Sequence, residues 1–157
     1  DIVNRRGRIG DFEGDTLMGR DKRVRIVSFV DRRSGYLIAF LLPKMNARLL
    51  TDLALSHFRR IVRTKRKTIT LDNGTEFSDW ERLEEHTGMT VYFSYPYHAW
   101  ERGTNENTNG LLRQYFPKSL DFNTIVPREL AYAVRKLNHR ERKRLKFLNP
   151  KTVFRGT

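Results

Sequence analysis

Three extended, apolar runs joined by two short polar turns occupy residues 8–43, and no other feature restricts the fold as strongly. The runs are RIGDFEGDTLM (8–18), VRIVSFVDR (24–32) and YLIAFLLP (36–43), with GRDKR and DRRSG at the turns. Connections this short join neighbouring strands antiparallel, so a three-stranded meander is expected. Pro43 stops the third strand, because proline cannot donate to a ladder. The nearly continuous stretch YLIAFLL implies strands covered on both faces.

The texture then changes. From Asn46 to Val62 apolar residues recur at 49, 50, 53, 54, 58, 61 and 62, a helical period with Asn46 as its cap. A basic run from Arg59 to Lys67 leads into TITLD, a short strand ending at Asp72. SDWERLEEHTG reads as a helix capped by Ser78 and stopped at Gly88, and MTVYFS (89–94) as the next strand. A Gly- and Asn-rich loop follows. Glu106 opens the next helix, which runs through NGLLRQYF to Pro117, and a last helix is expected from Pro127 to about Lys146. The order βββαβαβαα predicts one α/β domain over 1–157. Its five-stranded mixed sheet has three antiparallel strands and then two parallel ones reached by helical crossovers, with helices on both faces.

Composition narrows the function classes. The 157 residues include no cysteine, which excludes disulfides and thiolate zinc sites, and no apolar run near the roughly 20 residues of a membrane span. No apolar stretch follows the basic start, so a secretory signal is not expected, and a cytoplasmic location is. The first residue is Asp1 rather than Met, as in a piece of a longer chain. Thirty-one Lys and Arg against eighteen Asp and Glu give a net charge of +13, and 22 of the 31 bases are Arg. Arg forks onto phosphate and stacks on bases, so nucleic acid is the expected partner, ahead of a membrane surface.

Within this basic chain three acids stand where the layout would bring them together. Asp15 lies on the first strand, Asp72 closes the fourth, and Glu106 opens the helix after the fifth. Strands one and four become neighbours if the chain crosses over after the meander. Three adjacent carboxylates repel unless cations join them, and an all-oxygen set suits Mg²⁺ or Mn²⁺. Two such ions can activate an attacking oxygen and stabilise a leaving one at a phosphodiester. Asp11, Glu13 and Asp15 share one parity on the strand, so periodicity alone does not choose among them.

The segments around these acids resemble the catalytic core of DDE transposases and retroviral integrases, and most closely the insertion-sequence transposases of the IS-thirty family. FEGDT resembles the aromatic-x-x-Asp of the first strand, with Phe12 where Trp is usual, and favours Asp15 over Asp11. FVDRRSGYLIAF is similar to the second hairpin, and TLDNGTEF to the Asp-Asn-Gly-x-Glu-Phe box. YPYHAWERGTNENTNGLLRQYFPK resembles the segment holding the catalytic Glu. LNHRERKRL and NPKTVF look like the C-terminal signature, with RERK and NP for the more usual RPRK and TP.

The resemblance implies an RNase H-like fold and DNA cleavage at element ends, followed by strand transfer. It also implies a homodimer or higher assembly in the synaptic complex. Asp15 and Asp72 would hold one metal, and Asp15 and Glu106 the second. The helix-turn-helix region that reads terminal repeats is absent from this chain. A nuclease of the same fold that only hydrolyses, or a DNA-binding relic, remain the alternatives, although intact acids weigh against the relic.

Several other residues are candidate DNA contacts. Glu106, Asn109, Gly110 and Arg113 fall on one helix face. In integrases that face carries bases that touch DNA, and Arg113 resembles one of them, whereas Gly110 supplies no charge. His98, Trp100 and Arg102 precede the third acid, with the aromatics of that loop suited to stacking on splayed bases. Arg140, Arg142, Lys143 and Arg144 belong to a tail, 135–146, with seven bases and one acid that suits phosphate contacts. Glu76 is expected to support the turn after Asp72 or to open the next helix.

Overall fold

The computed structural model describes residues 7–94 and 103–156. The meander forms as the turn spacing requires. Strands β1 (Asp11–Met18), β2 (Arg25–Asp31) and β3 (Leu37–Leu42) pair antiparallel in sequence order. Strand β4 (Thr68–Leu71) then pairs parallel to β1, and β5 (Thr90–Phe93) parallel to β4, giving the order β3-β2-β1-β4-β5. The mixed sheet expected from the sequence is therefore the one observed.

Alternation along the strands feeds two cores, one on each face. On one face Phe12, Val27, Phe29, Phe40, Ile69 and Leu71 pack with Leu50, Ala54 and Phe58 of helix α1 (Ala47–Phe58) and Leu83 of helix α2 (Trp80–Thr87). Phe154 of helix α5 (Pro150–Arg155) joins them. Phe12, fully buried, meets the Phe58 ring edge-on at 5.3 Å and the Phe154 ring at 5.9 Å. On the other face Leu17, Ile26 and Leu37 pack with Leu112 and Phe116 of the α3 segment, and with Leu130, Ala133 and Leu137 of helix α4 (Pro127–His139). Helix α3 spans Gly103–Tyr115, so it begins three residues before Glu106.

Helix ends depart from the sequence reading wherever a tertiary partner decides them. Asn46 does cap α1, accepting from the Leu49 N–H at 3.0 Å, but the helix ends at Phe58 rather than Val62. There the N–H groups of Arg60 and Ile61 turn to carbonyls three residues back, a tightening that closes a helix. Ser78 does not cap α2. It ends a 3₁₀ turn, Thr75–Phe77, that points Glu76 and Phe77 inward, and α2 starts at Trp80. Gly88 does stop α2, in the left-handed conformation that a side chain disfavours (φ 74°).

The helix expected to reach Lys146 breaks at His139. Asn138 turns inward and clasps the outer edge of β3, accepting from the Leu37 N–H at 2.8 Å and donating to the Leu37 carbonyl at 2.9 Å. The half-buried Arg142 guanidinium then caps the Leu137 carbonyl at 3.0 Å. Leu145, in a 3₁₀ turn at Lys143–Leu145, buries itself beyond. The short α5 that follows, capped by Asn149, is not apparent from the sequence pattern.

Candidate active site

The parallel register pairs Asp11 with Thr68 and Glu13 with Thr70. The next residues of the same parity on the two strands are Asp15 and Asp72. The sheet thus carries both aspartates on one face of adjacent central strands, the face that α3 covers. Both are half-buried. Asp72, the first residue beyond β4, accepts the Gly74 N–H at 2.8 Å, which fixes the turn after it. Asp15 accepts the Thr16 N–H at 2.9 Å on Oδ1 and the Asn109 side-chain amide at 2.9 Å on Oδ2. Behind Asn109, the Ser28 hydroxyl donates to its Oδ1 at 3.5 Å, and Ser28 is Asp15's direct partner across the β1–β2 ladder.

The two neighbours of equal parity have structural partners. Asp11, 1% exposed, is held by Arg8 at 2.9 Å and by the Thr68 hydroxyl at 2.8 Å. Glu13, also 1% exposed, is held by the buried Arg32 at 3.0 Å. Of the three, only Asp15 reaches the half-exposed rim under α3.

Glu106 stands in the first turn of α3, where the helix dipole favours a carboxylate, and it is exposed. Among the described residues no group of three acids, histidines or cysteines gathers into a metal-binding set, so Glu106 does not complete a cluster with Asp15 and Asp72. The donors present are all oxygens on rigid strands and a helix, a set whose chemistry fits a hard divalent cation.

The candidate DNA contacts separate on inspection. Asn109 holds Asp15 rather than facing outward. Arg113 folds back, its guanidinium 5.9 Å over the Phe122 ring and its Nη1 on the Phe116 carbonyl at 3.4 Å, and burial pushes its pKa down. Arg142 caps a helix, as described. Arg140, Lys143 and Arg144 are exposed and, with Arg142 and Glu141, line a cleft of about 300 Å³ against Asn107 and Leu111 of α3. His98, Trp100 and Arg102 lie outside the described residues.

The sequence reading leaves out two groups. Ser28, a lone hydroxyl inside the apolar run of β2, was identifiable by counting across the first turn to its partner Asp15. Thr16 and Arg25 bond Glu76 from beneath the sheet, at 3.3 and 3.5 Å, so Glu76 supports the turn after Asp72. A Cβ at Gly74 would fall 2.5 Å from Glu76 Oε1, so a side chain there would displace the Glu76 carboxylate.

Comparison with known proteins identifies the family and the fold. The chain is 39% identical over 155 residues to the transposase for insertion sequence element IS4351 of Bacteroides fragilis, covering 99% of this chain and 47% of that protein. It is 39% identical over 153 residues to the transposase InsI for insertion sequence element IS30C of Escherichia coli K12, covering 98% of this chain and 39% of that one. The chain therefore spans about half the length, or less, of these relatives. The catalytic core domain of BIV integrase superposes with a TM-score of 0.73 at 20% identity over 94% of both chains, so the fold is shared. No described helix is long and apolar enough to cross a membrane. The integrase core domain model matches residues 8–99, well over half of the sequence, and it takes in the strands that carry both aspartates; the chain belongs to the integrase core domain family.

Proposed function

We propose that this domain is the catalytic core of a cytoplasmic, nucleoid-associated DNA transposase, working as a dimer or higher assembly on element ends and target DNA. The observation that carries this reading is the parallel register of β1 and β4, which brings Asp72, the residue just beyond β4, towards the level of Asp15, with Asn109 tying Asp15 to the helix that bears Glu106. Asp15, Asp72 and Glu106 would hold Mg²⁺ or Mn²⁺, with two ions when DNA is bound; the metal supplies charge neutralisation at the phosphate and activation of the attacking oxygen.

The reaction proposed has two displacements. Water attacks the scissile phosphodiester at the element end, and the 3′-oxygen leaves as a hydroxyl. That hydroxyl then attacks a phosphodiester of the target, whose own 3′-oxygen leaves. Two rigid strands and the Gly74 turn hold the aspartates in place before DNA arrives, so little ordering is left to the moment of reaction. Arg140, Lys143 and Arg144 beside Asn107 would track the phosphates that lead away from Glu106.

The test is incubation of the full-length protein with element-end DNA and Mg²⁺, scoring cleaved and joined products separately. Asp72→Asn keeps the side chain's shape and removes its charge. It is expected to abolish both products while leaving DNA binding almost unchanged. Appreciable cleavage by that variant would remove Asp72 from the site, and cleavage without joining in the wild type would reduce the activity to hydrolysis.

A further inference from the structure

Glu76 is a buried acid, 8% exposed, that the proposed chemistry does not use. It follows Asp72 by four residues. The register that ties β1 to β4 runs from Asp11↔Thr68 to Glu13↔Thr70. Asp15 and Asp72 both lie past its last rung, Asp72 one residue beyond the end of β4. Pairing between these strands therefore stops short of the two aspartates, whose separation a shared cation requires to be fixed.

Glu76 joins the same segments from the other side of the sheet. Side chains alternate along a strand, so Thr16 points away from the face that carries Asp15. Its hydroxyl donates to Glu76 Oε1 at 3.3 Å. Arg25, on the same face of β2, meets Glu76 Oε2 at 3.5 Å. The carboxylate also lies against Gly74, where a Cβ would stand 2.5 Å from Oε1 and 2.7 Å from Oε2. Gly74 in turn donates its N–H to Asp72 at 2.8 Å and accepts the Phe77 N–H at 3.1 Å, and Phe77 is buried in the core. One side chain thus touches the residue after Asp15, the second strand and the turn that fixes Asp72.

Stability alone is a poor account of this arrangement. Contacts of 3.3 and 3.5 Å are long for hydrogen bonds, and among the described residues the buried Arg25 Nε has no acceptor. A buried charge pair so loosely satisfied recovers little of its desolvation, and an apolar pair of similar volume would serve the core as well or better. An apolar pair cannot, however, tie three segments together at defined positions.

We propose that Glu76 is a positioning residue of the acidic site. Its carboxylate clamps Thr16 of β1 and Arg25 of β2 to the turn after Asp72, and so sets the separation of Asp15 from Asp72 where the ladder has ended. The inference rests on the reading of those aspartates as metal ligands. Glu76 touches neither ion nor DNA; it acts through Thr16 and Gly74, as outer partners of a metal site do.

The test uses three variants of the full-length protein. The double variant Arg25→Met, Glu76→Leu replaces the charge pair by an apolar one. Thr16→Val removes the hydroxyl at nearly constant volume, and Thr16→Ser keeps it. The double variant and Thr16→Val should melt within about 4 °C of the wild type or above it. Amide hydrogen exchange across 72–77, read by mass spectrometry, should quicken in both by about fivefold, the equivalent of one lost hydrogen bond. Their affinity for Mn²⁺, read from the EPR signal of the free ion, should fall about 10–100-fold. Cleavage of element-end DNA at limiting Mg²⁺ should fall with it and recover as Mg²⁺ is raised, at unchanged DNA affinity. Thr16→Ser should behave as the wild type in every measurement. Wild-type exchange in the double variant would overturn the proposal, as would quickened exchange with wild-type Mn²⁺ affinity. A double variant that melts far below the wild type would show a pair that holds the fold, and would overturn it too. If Asp72→Asn leaves Mn²⁺ binding untouched, the reading of Asp72 as a ligand fails, and the clamp then stands or falls on exchange across the turn.

Discussion

Replacing Arg32 with Ala tests the proposal that Asp15, and not a neighbour of the same parity, serves the site. Arg32 Nε and Glu13 Oε2 are 3.0 Å apart, and the two side chains are 4% and 1% exposed, so solvent contributes almost nothing to either charge. Removing one member of such a pair typically costs about 3–5 kcal/mol, because the remaining charge stays buried without its counter-ion. For a domain of this size each kcal/mol moves the melting temperature by about 2–4 °C, so a fall of about 6–20 °C is expected. The double variant Arg32→Met, Glu13→Gln removes both charges and should lose much less. Asp15→Asn should change stability by less than about 1 kcal/mol, since its half-exposed side chain keeps an oxygen for the Asn109 amide. Urea unfolding followed by circular dichroism measures all three. If Arg32→Ala unfolds within 1 kcal/mol of wild type, or Asp15→Asn falls as far as Arg32→Ala, the division between structural and functional acids on β1 is wrong.

Asn109→Ala deletes the donor that orients Asp15 and should slow strand cleavage about tenfold, or about 1.4 kcal/mol of barrier; a single-turnover rate equal to wild type would make Asn109 a bystander. His57, stacked on Phe40 at 5.2 Å, has its pKa pushed down by burial first and by the Arg60 charge second. Its lowered value means that the unfolded chain takes up this proton at higher pH than the folded one, so stability is lost as pH falls below about 6.5. His57→Gln should flatten the change in urea midpoint between pH 7.5 and 5.5, and an undiminished change would place the acid sensitivity elsewhere.

The sheet was legible because burial on two faces is written into the three strands of the meander. Phe12, Val27, Phe29 and Phe40 alternate with Leu17, Ile26 and Leu37, and each set finds its own helical layer. Helix ends were less so, since they are settled by partners distant in sequence. Nothing local to 127–146 says that Asn138 will take both polar groups of Leu37, 101 residues away, and so help end the helix at His139.

The same distinction runs through the site. A strand's own period cannot separate Asp11, Glu13 and Asp15, because what separates them is Arg8, Arg32 and Asn109, contributed by three different segments. Parallel pairing with β4 resolves it further: Thr68 and Thr70 oppose the first two acids, and Asp72 follows at the level of the third. A threonine beside a carboxylate can donate a hydrogen bond, as Thr68 does to Asp11. An ionised aspartate beside a carboxylate cannot, so Asp15 and Asp72 take their hydrogen bonds from elsewhere, from Thr16 and Asn109 and from Gly74. The register between β1 and β4 is therefore what sets Asp15 and Asp72 apart from the other acids, and it becomes visible only once the helical crossover has laid the fourth strand against the first.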